Sequence, residues 1–104
     1  MRYIVIFSTC ANKKEAGRIA ERLVKNKLVA CVNIIDGIES VFRWRGRVDR
    51  AKEALLVIKS KQSKLNKIIK LVKSLHSYQV PEIIALPIIG GHTPYLDWID
   101  ESTG

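Results

Sequence analysis

Long apolar runs are missing from this 104-residue chain. The longest, Ile83 to Ile89, is far shorter than the roughly 20 residues that a membrane-spanning helix needs. The N-terminus begins with a strand-like run, Tyr3 to Phe7, and lacks the basic leader and long apolar region of a signal peptide. The sequence therefore predicts a cytoplasmic protein without a membrane partner.

Motifs for catalysis are equally scarce. The chain has no Gly-x-Ser-x-Gly elbow, no glycine-rich phosphate loop ending in Lys-Ser or Lys-Thr, and no His-Glu-x-x-His helix. Its only histidines are His76 and His92. We therefore expect a protein that is not an enzyme.

Cysteine is rare as well. Cys10 and Cys31 lie 21 positions apart, which matches no zinc pattern, and two thiols in a cytosolic chain are usually reduced. The pattern favours Cys31 as a small core residue on a strand. Cys10 lies where the first strand meets its loop, so it is the better candidate for a reactive or ligating thiol.

Acidic residues are outnumbered by basic ones, 10 against 18, which gives a net charge of +8. No acid lies between Ala54 and Glu82, where lysines recur at every third position from 61 to 73. A second basic group, Arg43, Arg45, Arg47, Arg50 and Lys52, surrounds a predicted hairpin turn. Such patches can contact RNA, nucleotides or anionic lipid, but a solvated lysine face is the simpler interpretation. Nucleic acid is not expected as a partner, because the strands lack the aromatic signature of ferredoxin-like RNA-binding modules.

Hydrophobic periodicity predicts the elements of the first half. Residues 3–9 and 29–35 have strand character, and between them apolar residues recur at helical spacing: Ala16, Ile19, Ala20, Leu23 and Val24. Asn12 can cap this helix, with Glu15 reaching back as in a capping box. Asp36-Gly37 is predicted to turn the chain, and Gly46 permits a hairpin between residues 41–44 and 54–58.

The second half repeats this order. Ser63 is the predicted cap of a helix whose inner positions are Leu65, Ile68, Ile69, Val72 and Leu75. Pro81 prevents that helix from continuing, residues 83–89 form a strand, and Thr93-Pro94 opens a short last helix. Two β-α-β units indicate an α+β, ferredoxin-like βαββαβ sandwich with a hairpin extension and a short C-terminal helix. The length predicts that residues 1–104 form one domain.

Three predicted strands, 28–35, 54–58 and 83–89, are apolar on consecutive residues. Two helices can cover only one face of a four-stranded sheet, and a strand with one wet face should alternate apolar with polar residues. The second face must then be hidden, most simply against other copies of the chain. Ile84 and Leu86 are the packing candidates on the last strand.

Several segments resemble one known family. Residues 75–98 read LHSYQVPEIIALPIIGGHTPYLDW, residues 19–35 read IAERLVKNKLVACVNII, and residues 40–47 read SVFRWRGR. Their order and spacing are similar to those of the CutA family, the divalent-cation tolerance proteins. The resemblance implies a ferredoxin-like strand order, a homotrimer around a common axis and a role in the response to metal ions. Trp44, Tyr78 and Trp98 resemble recurring aromatics of that family, and we predict that they pack between subunits.

Metal binding is the sharpest chemical hypothesis. His76 and Glu82 are six positions apart across a helix-to-strand turn, and both residue types ligate divalent ions, with Cys10 as a third candidate. The family resemblance implies Cu²⁺ or another divalent cation, held by a first-strand cysteine and paired histidines at a helix end. In this chain Ser8 occupies the cysteine position, and Leu75 precedes the single remaining histidine. The simpler alternative for His76 is a helix-end imidazole bonded to a backbone carbonyl.

A second class of function stays open. The CutA fold is similar to that of the PII signalling proteins, trimers that hold nucleotides in clefts between subunits. The basic hairpin could then face an anionic ligand, which makes a sensor of nucleotides or other small ligands the alternative. That alternative depends on fold analogy alone.

Overall fold

The computed structural model of this chain describes residues 2–104. Its elements follow the order β-α-β-β-α-β-α, and the strands form one antiparallel sheet of order β2-β3-β1-β4. This arrangement confirms the predicted α+β, ferredoxin-like fold with a hairpin extension and a short C-terminal helix. The elements are β1 (Tyr3–Cys10), α1 (Lys13–Lys25), β2 (Cys31–Trp44), β3 (Arg47–Lys61), α2 (Leu65–Leu75), β4 (Ile84–Ile88) and α3 (Thr93–Ser102).

The core lies between the sheet and the two helices α1 and α2. Strict alternation along β1 buries every second side chain from Ile4 to Cys10, as a strand covered on one face requires. The apolar stripe predicted for α1 is buried as expected, except Val24, which is 44% exposed. Ser8 is the one polar defect of this core: among residues 2–104 its buried hydroxyl finds no hydrogen-bond partner.

The hairpin is longer than the sequence suggested, because Asp36-Gly37 does not turn the chain. β2 runs through both residues, and they form a bulge between the pairs Ile35–Leu55 and Ile38–Glu53. The Gly37 N–H is bonded to the Asp36 carboxylate at 2.8 Å, with φ at +71°. A bulge and a turn can both contain an aspartate bonded to the next backbone N–H and a glycine with positive φ, so the Asp-Gly dipeptide alone does not show which of the two forms. The true turn is Arg45-Gly46, where both residues have positive φ, as in a two-residue hairpin loop.

Two predicted helix caps are displaced. Ser63 lies inside a short 3-10 turn, Gln62–Lys64, and α2 begins only at Leu65 without a side-chain cap. Thr93 is the first residue of α3, and His92 occupies the cap position. The Asn12 cap is confirmed: its side-chain oxygen accepts the Glu15 N–H at 2.8 Å.

The second face of the sheet is only partly covered. α3 lies over one end of it, where Ile99 is fully buried and Lys61 pairs with Asp100 at 2.7 Å. The rest is an open apolar surface along β4 and its neighbours, with Ile84 51% and Leu86 43% exposed. Register places these two side chains beside Phe7 and Val5. We call this the open face: Val5, Phe7, Ile35, Leu55, Val57, Ile84 and Leu86.

Helices of the described chain are all short. Between residues 2 and 104, none is both long and apolar enough to cross a membrane.

Candidate functional site

A group of buried polar side chains gathers where β1 ends, α1 begins and α2 stops. Asn12 starts α1 directly after β1, so the third residue of that helix is turned back toward the strand end. The cap residue of α2 and the loop that follows it deliver two further side chains to the same place, and register adds one from β3 beside the pair Cys10–Ala54. The polar cluster consists of Cys10, Glu15, Glu53, His76 and Tyr78.

His76 is the centre of this cluster, and its side chain is fully buried. The Tyr78 backbone N–H donates to Nδ1 at 3.0 Å, and Nε2 lies 2.8 Å from the Thr9 carbonyl oxygen. A nitrogen that accepts an N–H carries no proton of its own, so the hydrogen-bond network assigns the proton to Nε2, which donates to Thr9. The helix-end imidazole bonded to a backbone carbonyl is therefore what the structure contains.

Glu15 joins the two helices. One carboxylate oxygen accepts the Ala11 N–H at 3.1 Å, and the other accepts the Ser77 N–H at 3.0 Å. Burial by itself raises the pKa of Glu15, but the hydrogen bonds from Ser77 and Ala11, together with nearby His76, outweigh it and lower the pKa. Glu15 therefore remains ionised and holds the start of α1 against the end of α2.

Cys10 and Tyr78 are held in their neutral forms. The Tyr78 hydroxyl donates to Glu53 at 2.7 Å, and burial together with this bond raises the pKa of Tyr78. Burial, with Glu15 and Glu53 nearby, raises the pKa of Cys10 to about 12. The thiol expected to be the reactive one is therefore protonated and fully buried.

This thiol predicts a loss of stability in alkali. The Cys10 thiol ionises near 9.0 in the unfolded chain but only near 12 in the folded one. Folding stability is thus intact below pH 9 and falls as the pH rises toward 12, by about 2 kcal/mol at about pH 10.5 from this group. Urea unfolding at neutral and alkaline pH should show a smaller alkaline loss for Cys10→Ala than for Cys31→Ala. Equal losses in the two variants would contradict a buried, neutral Cys10.

The cluster also offers a set of metal donors. One ligand atom each from Cys10, Glu15 and His76 lies within 4.8 Å of the others, and sulfur, oxygen and nitrogen donors suit Zn²⁺ and Cu²⁺. Both imidazole nitrogens are nevertheless engaged in hydrogen bonds, and the thiol carries a proton. The residues thus fit a divalent ion in kind and spacing, but binding must displace a proton and at least one hydrogen bond.

The three predicted metal ligands do not all meet. His76 and Cys10 are brought together as proposed, whereas Glu82 is exposed and lies outside the group. Glu15, which the sequence predicts only as part of a capping box, provides the carboxylate of the group instead. The sequence feature that could have identified Glu15 is an acidic residue at the third position of a helix that starts directly after a strand. No feature of the sequence around Glu53 could have identified it, because only the pairing of β3 with β1 brings Glu53 near the other residues of the cluster.

The predicted packing residues fall into two groups. Ile84 and Leu86 lie on the open face, and Trp44 and Trp98 are also exposed, the former at the hairpin with Arg45 over its ring at 5.7 Å. Tyr78 differs, since its ring packs on the His76 ring at 4.8 Å and its hydroxyl is bonded to Glu53 in the same chain. Tyr78 therefore has an intrachain role that its sequence pattern did not indicate.

Fold and cluster together define a ferredoxin-like α+β protein with a buried Cys-Glu-His group at the end of its first strand. Comparison with known proteins identifies the class. Residues 4–102 match the family of the CutA1 divalent ion tolerance protein. The chain belongs to this family.

Relatives agree over nearly the whole chain. Identity is 48% over 100 residues with the chloroplastic protein CutA 1 of Oryza sativa subsp. japonica, over 96% of this chain and 56% of that protein. It is 45% with the divalent-cation tolerance protein CutA of Thermus thermophilus, over 96% of this chain and 97% of that protein. The chain thus spans about half the length of the plant relative and nearly all of the bacterial one.

Solved structures superpose closely. The Thermus thermophilus protein has a TM-score of 0.96 at 44% identity, covering 98% of this chain and 99% of that one. The CutA1 structure from Oryza sativa has a TM-score of 0.97 at 46% identity, covering 100% of this chain and 95% of that one.

Proposed function

We propose that this protein is a non-enzymatic homotrimer that takes part in the response to divalent metal ions and binds Cu²⁺ or another divalent cation weakly. The observation that carries the proposal is the donor set of Cys10, Glu15 and His76, within 4.8 Å of one another. Divalent-cation tolerance is what the names of its relatives say of them. A cytoplasmic location stays a prediction, and one relative from Archaeoglobus fulgidus is called periplasmic.

Weak binding follows from the hydrogen bonds of the cluster. An entering ion must remove the proton of a thiol whose pKa is raised to about 12, and it must compete with Tyr78 or Thr9 for His76. Cys10, Glu15 and His76 are the residues that would hold the ion, and the ion would supply a positive charge among two buried carboxylates.

The trimer is supported by the open face. Monomeric proteins rarely leave a contiguous apolar patch on a sheet, and Ile84 and Leu86 are about half exposed in the single chain. Three copies packed by these faces would bury it and leave the polar cluster inside each chain.

The two free cysteines provide a matched test of metal binding. Titration calorimetry with Cu²⁺ and with redox-inert Zn²⁺ should give tighter binding of Cu²⁺. Cys31→Ser should keep the wild-type affinity, whereas Cys10→Ser removes a ligand and should lower the affinity by about 10-fold or more, since even losses of outer-shell partners cost about 10–100-fold. Glu82→Gln should have no effect. Equal affinities of the two cysteine variants would mean that the ion binds elsewhere.

A second candidate function is the PII-like sensor of small anionic ligands. It is favoured by a cleft of about 390 Å³ at the hairpin, lined by Trp44, Arg45, Arg47, Val48 and Asp49. Native mass spectrometry of untagged protein distinguishes the metal-binding function from the sensor function, because it reports the number of subunits together with any retained nucleotide or metal. A nucleotide that is released by Arg47→Gln would favour the sensor.

A further inference from the structure

The outer surface of α1, α2 and the residues next to them carries the entire net charge of the molecule. Residues 13–27 and 64–73 contain ten basic and two acidic residues, a net charge of +8, which equals that of the whole chain. The remaining residues hold eight basic and eight acidic residues and are neutral together. We call this surface the helix layer; its cations are Lys13, Lys14, Arg18, Arg22, Lys25, Lys27, Lys64, Lys67, Lys70 and Lys73.

The two acids of the helix layer do little to neutralise it. Glu15 belongs to the buried polar cluster, where backbone N–H groups bind both of its oxygens. Glu21 is exposed and pairs with Lys25 at 2.8 Å. Among residues 2–104, no other cation of the layer is paired with an acidic side chain. A broad positive field therefore projects from this side of the molecule.

Packing fixes the direction of that field. α1 and α2 bury their apolar sides on the same face of the sheet, where Ile19, Leu23, Ile68 and Val72 are fully buried. The cations consequently point away from the sheet and from the open face on its other side. A homotrimer that buries the open face would leave the helix layer accessible.

We propose that the helix layer adsorbs to the surface of an anionic lipid bilayer. Lysines outnumber arginines eight to two, and a lysine ammonium is a point charge that needs no bidentate partner. The layer has no aromatic residue on which a base could stack, which argues against a single-stranded nucleic acid. Two helices side by side on a sheet present a broad face, and a plane of anionic headgroups matches such a face without a groove. This inference does not depend on the proposed metal function.

Vesicle sedimentation tests the proposal with the full chain. The protein should bind phosphatidylcholine vesicles that contain about 40% phosphatidylserine, ignore pure phosphatidylcholine, and dissociate as salt rises. Each juxtaposed lysine contributes about fivefold in affinity, so the triple variant Lys67→Gln, Lys70→Gln, Lys73→Gln should bind roughly 100-fold more weakly. The matched control, Arg43→Gln, Arg45→Gln, Arg47→Gln, removes the same charge from the hairpin and should change the affinity by less than about fivefold.

Three outcomes would overturn the proposal. Equal losses in the two triple variants would show that net charge alone, and not the helix layer, causes adsorption. Binding to a DNA duplex at lower protein concentration than to vesicles, at the same salt, would make a nucleic acid the partner. No binding of the wild-type protein to anionic vesicles at about 0.1 M salt would leave the layer as an ordinary solvated surface.

Discussion

Replacing Leu86 with Asp is expected to convert the proposed trimer to monomers without unfolding the chain. Leu86 is 43% exposed in the single chain, so a carboxylate there stays largely hydrated and costs the monomer little. In a trimer closed by the open face, the same carboxylate would be buried without a partner. Such burial costs several kcal/mol for each chain, about 3 kcal/mol or more, which is enough to abolish assembly at micromolar concentration. Ile84→Asp should act in the same way.

Val24→Asp is the matched control for this prediction. Val24 is 44% exposed, almost the same as Leu86, but it lies on α1 at the opposite side of the sheet. Light scattering coupled to size exclusion should give three times the 11.8 kDa chain mass for the wild type and for Val24→Asp. Leu86→Asp should give the single-chain mass with an unchanged far-ultraviolet circular dichroism spectrum. A monomeric wild type, or a Leu86→Asp variant that stays trimeric, would contradict assembly through the open face.

The sequence predicts those elements of the fold that are determined by interactions between residues close together in the chain. The stripe from Ala16 to Leu23 identified α1, because burial on a helix repeats every three to four residues whatever the helix packs against. Asp36-Gly37 was misinterpreted because a bulge and a turn both require a glycine with positive φ. Only the partner strand decides between them, and β3 pairs with β2 on both sides of the bulge, as far as Arg47. The deciding interaction is therefore one between residues far apart in the chain.

The candidate site shows the same limit. His76 and Cys10 could be named from residue type and from their positions at element ends. Glu82 was chosen because it is near His76 in the chain, yet its side chain is exposed and lies outside the donor group. Glu53 reaches the site from 23 positions before His76, through the pairing of β1 with β3. No periodicity of the sequence indicates a contact of that kind, so the place of Glu53 in the site could be found only from the fold.

Removing the imidazole should cause the largest loss of stability of any change within the polar cluster. In His76→Ala the Tyr78 N–H loses its acceptor and the Thr9 carbonyl loses its donor, at a place where the imidazole is fully buried. Each unsatisfied group costs about 1–3 kcal/mol, and the cavity adds to this. We expect the free energy of unfolding to fall by about 3–5 kcal/mol in chemical denaturation.

Two further variants make this prediction specific. His92→Ala removes the only other histidine, which is exposed at the start of α3, and should change the free energy of unfolding by less than about 0.5 kcal/mol. His76→Gln keeps an amide donor for Thr9 and should recover part of the loss. If His76→Ala has the same free energy of unfolding as the wild type, the hydrogen bonds of the cluster contribute little to stability. His76 would then have a role other than stability, and metal binding is the first such role to test. If it destabilises the chain as expected, the imidazole serves the fold, and weaker metal binding in Cys10→Ser would then show that the ion binds beside a histidine that the fold also requires.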